Sequence, residues 1–123
     1  MQPDPFLQEY LDRTTFRNKD GEICEFTSLQ KHDLNLVLQK RYALLNWQQG
    51  SGKTAAVYHR AKYLLKFHKV RNAVILAPAI ATNMTWIPFL TINREKFRIV
   101  RSNADLETVP EGVLLILSTS ILS

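Results

Sequence analysis

The stretch Asn46-Trp47-Gln48-Gln49-Gly50-Ser51-Gly52-Lys53-Thr54 constrains this chain most, because it joins an apolar run to an amphipathic one through a loop of small residues. Polyphosphate is best held by several backbone N–H groups pointing inward, and Gly50, Ser51 and Gly52 are small enough to allow that convergence. The residues that follow open a helix, whose first N–H groups lack internal partners and whose dipole favours an anion. In that frame Lys53 reaches the outer phosphates as a point charge, and the Thr54 hydroxyl is placed to ligate Mg²⁺. Gln49, Gly50, Ser51, Gly52, Lys53 and Thr54 are therefore the candidate phosphate-binding residues, with Lys53 and Thr54 carrying the chemistry. The competing reading is a glycine turn that precedes a basic helix by chance, and Gly-x-Gly-Lys-Thr arises that way in roughly one chain of this length in several hundred. Trp47 stands where the general pattern begins with Gly, which points away from the small-kinase form of the loop.

The flanking sequence suits a strand–loop–helix unit. Residues 42–46 are predicted to form a buried strand entering the loop, and residues 54–68 a helix with Val57, Ala61, Leu64 and Leu65 on its inner face. Between Asp33 and Glu95 there is no acidic residue, whereas Lys40, Arg41, Lys53, Arg60, Lys62, Lys66, Lys69, Arg71 and Arg94 all fall there. That segment carries +9 of charge and the remainder −4. Such a basic region suits nucleotide and nucleic acid, because phosphate neutralisation supplies affinity independent of base sequence. The plainer reading for Arg60, Lys62, Lys66 and Lys69 is a solvated helix face.

Upstream, Asp4-Pro5 followed by Phe6, Leu7, Tyr10 and Leu11 predicts a short capped helix. Residues 14–17 and 22–26 flank Asn18-Lys19-Asp20-Gly21 and predict a hairpin. Thr27 or Ser28 is expected to cap a helix with Gln30 in its first turn. Downstream, Ala73–Ala77 reads as a strand buried on both faces and stopped by Pro78. A helix over residues 82–90 follows, limited or kinked by Pro88, and then strands over 97–100 and 113–117. Strands alternating with helices imply an α/β fold with a parallel, helix-covered sheet, whose ligands gather at the carboxyl ends of the strands. Residues 1–26 are expected to be an appendage and 27–123 the main domain. Cys24 is expected to be a half-buried strand residue, Trp86 a core residue, and His32, His59 and His68 surface or partly packed side chains. The chain has no run of about eighteen apolar residues and no signal peptide at its start, so an intracellular protein is expected.

With these segments in order, the chain resembles, from about residue 26 to 123, the N-terminal motor lobe of superfamily 2 helicase-like ATPases, particularly the Swi/Snf-type DNA translocases. Trp47 to Thr54 looks like their motif I. Val74-Ile75-Leu76-Ala77-Pro78, with Trp86 eight residues beyond Pro78, resembles motif Ia, and Leu114 to Thr119 looks like the strand that carries motif Ib. The resemblance implies a P-loop NTPase of RecA-like fold and an activity as an ATP-dependent DNA helicase or translocase. Its cofactors would be ATP and Mg²⁺, and its partners DNA, with RNA left open, and a second motor lobe. It also implies that Gln30 reads adenine, offering a donor and an acceptor, and that Pro78, Ala79, Thr82, Asn83 and Thr119 line the DNA backbone. The compartment would be the cytoplasm, with nucleoid association in a bacterium or phage and a nuclear site in a eukaryote.

Hydrolysis in that family uses an Asp-Glu pair after a buried strand, and this sequence has none. The expectation is thus a partial lobe that stops before the Asp-Glu box and binds nucleotide without turnover. Two alternatives stand beside it, a phage terminase-type DNA-packaging ATPase and a truncated, non-catalytic nucleotide- or protein-binding module.

Overall fold

Asp4 followed by Pro5 starts the first element for local reasons. In α1 (Pro5–Asp12) the Asp4 carboxylate accepts from the Leu7 N–H at 3.1 Å, and Pro5 occupies a first-turn position where its missing N–H is not needed. The computed structural model describes residues 2–40, 52–67 and 70–118. Contacts divide it into two compact units, Met1–Arg60 and Ala61–Ser123.

In the first unit, α1 buries Leu7 and Leu11 and leads into the antiparallel hairpin of β1 (Thr15–Arg17) and β2 (Ile23–Glu25), with Phe16 opposite Cys24. Asn18 shapes the turn, because its side-chain oxygen accepts from the N–H groups of Asp20 and Glu22, both at 3.0 Å. Gly21 closes it at φ +80°. Cys24 is half-buried, as expected. Helix α2 (Ser28–Leu38) begins with a reciprocal capping box. The Thr27 hydroxyl accepts from the Gln30 N–H at 3.2 Å and the Gln30 carboxamide oxygen accepts from the Thr27 N–H at 2.8 Å.

Helix α2 is tied to α1 through a buried polar residue. Asn35 is 0 % exposed, accepts from the N–H of Asp4 at 2.7 Å and donates to the Asp4 carbonyl at 2.9 Å. Lys31 adds an ion pair to Asp12 at 3.1 Å. The strand expected over residues 42–46 lies outside the described residues.

Helix α3 (Lys53–Phe67) runs one residue ahead of the expected span at each end. Its buried side chains are Ala55, Ala56, Tyr58, Ala61 and Tyr63, while Leu64 and Leu65 are half-buried. Val57, expected inside, is exposed: on a helical wheel of 100° per residue it falls outside the broad arc that those five residues cover.

In the second unit β3 (Ala73–Ala77), β4 (Phe97–Val100) and β5 (Leu114–Ser118) form a parallel sheet in the order β3-β5-β4. The architecture is thus mixed α/β with a parallel sheet whose strands are joined through helices. Central strand β5 buries Leu114, Leu115 and Ile116, as a strand covered on both faces does. Strand β3 departs from expectation. Ile75 and Ala77 are buried but Val74 and Leu76 are 56 % and 59 % exposed, so only one face is covered. Among the described residues β3 pairs with β5 alone, and an apolar run does not by itself say how many of its faces are covered.

From β3 the chain passes Pro78 into α4 (Ala79–Ala81), a π turn (Thr82–Trp86) and α5 (Ile87–Ile92). The widened turn accounts for Pro88 inside a helical run. Proline has no N–H to give the Met84 carbonyl and its ring would crowd it, and the π turn lets the Ile87 N–H bond to Thr82 instead. A one-turn helix α6 (Ala104–Glu107), too short for periodicity to reveal, precedes β5. It is held by the Asp105 carboxylate, which accepts from the N–H groups of Arg101 and Ser102 at 2.7 and 3.1 Å. Asn72 fixes the entry to β3, donating to the carbonyls of Pro110 and Val113, both at 3.0 Å. Among the described residues no helix is long and apolar enough to cross a membrane.

Candidate functional site

Gly52 stands at φ +90° immediately before α3, and its carbonyl accepts from the Ala56 N–H at 3.0 Å, the first bond of the helix. A glycine at this cap brings no side-chain oxygen to the first-turn N–H groups, which suits them to an external acceptor. Lys53 and Thr54 are the first two helical residues. Lys53 is exposed and Thr54 half-buried, so the ammonium can extend into solvent while the hydroxyl stays near the backbone. Gln49, Gly50 and Ser51 lie outside the described residues, as does Thr119.

Gln30 comes to this glycine from the start of α2. A Cβ placed on Gly52 would stand 3.1 Å from the Gln30 Nε2 and 3.9 Å from its Cδ, so the carboxamide occupies the space that glycine leaves. The oxygen of the same carboxamide is bonded to the Thr27 N–H. Sequence placed Gln30 upstream of the loop, but only the fold brings it beside Gly52.

The basic side chains around this helix differ in their surroundings. Arg60 donates to the Lys40 carbonyl at 3.2 Å, and Lys62 pairs with Glu95 at 3.1 Å. Lys66 is exposed, with its ammonium 5.4 Å from the centre of the Phe67 ring. His59 is a partly packed histidine, its ring 4.8 Å from that of Tyr58 and 5.6 Å from that of Phe26. His32 is exposed beside Asp33 at 3.5 Å. Among the described residues no group of three His, Cys, Asp or Glu side chains is placed to hold a metal ion.

In the second unit, Pro78, Ala79 and Asn83 follow the carboxyl end of β3 and are exposed. Thr82 departs from the surface position that a contact with a nucleic-acid backbone requires. It is 3 % exposed and turned to the buried side with Trp86, four residues on, and its hydroxyl has no hydrogen-bond partner. Trp86 is a core residue as expected, edge-on to Phe89 at 6.4 Å. No family model, curated protein or solved structure matches the chain.

Proposed function

We propose that this chain is part of a RecA-like ATP-binding lobe of a DNA helicase or translocase, and that it binds the polyphosphate of Mg-ATP at the start of α3. The observation that carries the reading is a left-handed glycine opening a helix whose first two residues are Lys53 and Thr54. The parallel sheet with helical connections supports the fold, and the segment without a single carboxylate between Asp33 and Glu95 supports an anionic ligand.

The residues present fit Mg-ATP. Gly52 leaves space at the helix start that a Cβ would fill, Lys53 supplies a mobile positive charge, and Thr54 supplies a hydroxyl oxygen of the kind Mg²⁺ accepts. Bound Mg²⁺ would screen the charge on the phosphates. The chain's own residues orient and neutralise the phosphates: backbone N–H groups at the helix start receive their oxygens, and Lys53 balances the outermost charge. The described strands end at Ala77, Val100 and Ser118, which bring no carboxylate to orient water, so the proposed activity of these residues is binding. Pro78, Ala79 and Asn83 are the proposed contacts to the nucleic-acid backbone.

The test is thermal stabilisation by Mg-ATP. Ligand that binds only the folded chain at a hundred times its Kd adds about 2.7 kcal/mol to stability, which raises Tm visibly. Lys53→Ala should remove that rise while leaving Tm without ligand unchanged, because Lys53 is exposed. Equal stabilisation of both proteins would defeat the assignment.

A further inference from the structure

We propose that Gln30 is a positioning residue of the phosphate loop, setting affinity for the polyphosphate of a nucleoside triphosphate without selecting its base. The inference rests on the phosphate-loop reading above. It departs from the adenine-reading role that the resemblance implies for this residue.

Both ends of the Gln30 carboxamide are engaged. To read adenine, a glutamine must turn its oxygen to the exocyclic amine and its nitrogen to a ring nitrogen. Here the oxygen accepts from the Thr27 N–H at 2.8 Å, completing the capping box, and the nitrogen lies against Gly52, 3.1 Å from where a Cβ would sit. Turning toward a base would break the capping box and withdraw the group that fills the space beside Gly52. The capping box also fixes the side chain at its root, since the Gln30 N–H is bonded to the Thr27 hydroxyl. Helix α2 thereby presents a rigid amide to the last glycine of the loop, whose φ of +90° must be held for the chain to enter α3. A loop held in its binding geometry before the ligand arrives binds more tightly, because less freedom is lost on association.

The experiment compares Gln30→Ala with Thr27→Ala in the full chain, using Mg-tripolyphosphate and Mg-ATP as separate probes. Both variants weaken the cap of α2 and should lower Tm, but only Gln30→Ala removes the group beside Gly52. A positioning role predicts that Gln30→Ala weakens tripolyphosphate and ATP by the same factor, about fivefold for one lost positioning contact, while Thr27→Ala leaves both affinities near those of the native chain. Loss of ATP affinity with tripolyphosphate affinity unchanged would overturn the proposal in favour of base reading, and leave the phosphate loop standing. Equal weakening by Thr27→Ala would overturn it in favour of a cap effect alone. If the native chain binds neither probe, the phosphate-loop reading fails and the positioning role fails with it.

Discussion

Gly52 stands at φ +90° and Arg94 at φ +54°, the region where a Cβ crowds the neighbouring backbone. At Gly52 the absence of a Cβ serves twice, since it permits the backbone turn and makes room for the Gln30 amide. At Arg94 the same backbone region is occupied by a residue that gains nothing from it. Arg94 closes α5 in a Schellman arrangement, its N–H bonded to the Thr91 carbonyl at 3.1 Å and the next N–H, of Glu95, to the Leu90 carbonyl at 3.0 Å. Glycine is the residue suited to that position. Arg94→Gly removes a left-handed penalty of about 1–2 kcal/mol and adds some unfolded-state freedom, so a net gain of about 0.5–1 kcal/mol is expected. Urea denaturation checks it, and a midpoint that falls instead would show that the Arg94 side chain contributes more than its backbone strain removes.

Among the elements, α1 and α2 depend on one another through Asn35. Its amide satisfies both backbone groups of Asp4, and it also accepts from the Gln39 side chain at 2.9 Å. Asn35→Leu matches the volume but leaves the Asp4 N–H and carbonyl without that partner, at an expected loss of about 2–3 kcal/mol. Hydrogen exchange at the Leu7 and Leu11 amides should accelerate in the variant; unchanged protection there would mean α1 is held by its apolar contacts alone. Elements of this kind were readable in the sequence because their signals are local: Asp4-Pro5 starts α1, Asn18 to Gly21 turns the hairpin, and Thr27 with Gln30 caps α2. Strands β3 to β5 were readable from their apolar runs. What escaped was set by distant partners. The exposed face of β3 depends on what covers the sheet, the inward turn of Thr82 on a π turn that accommodates Pro88, and the meeting of Gln30 with Gly52 on a fold that joins two segments far apart in sequence. Helix α6 is held by one carboxylate and offers no period to find.

Across the whole molecule the dominant physical fact is charge. The chain has a formal net charge of +5, concentrated in a segment that contains no acid between Asp33 and Glu95. The structure separates the cations of that segment by how much of their charge is available to a ligand. Lys62 is offset by Glu95 at 3.1 Å, whereas Lys66 and Arg71 are both exposed. If the chain engages a single-stranded oligonucleotide through phosphate neutralisation, each cation that meets a phosphate contributes about 0.7 to the slope of log affinity against log salt. The double variant Lys66→Gln/Arg71→Gln should therefore lower that slope by about 1.4, and Lys62→Gln should lower it less, because its charge is already balanced in the free protein. Fluorescence anisotropy of a labelled oligonucleotide over a salt series measures both. A slope unchanged in the double variant would place the phosphate track away from these residues. An equal drop from Lys62→Gln would mean the Glu95 pair opens on binding, so that helix α3 contributes its full charge to the complex.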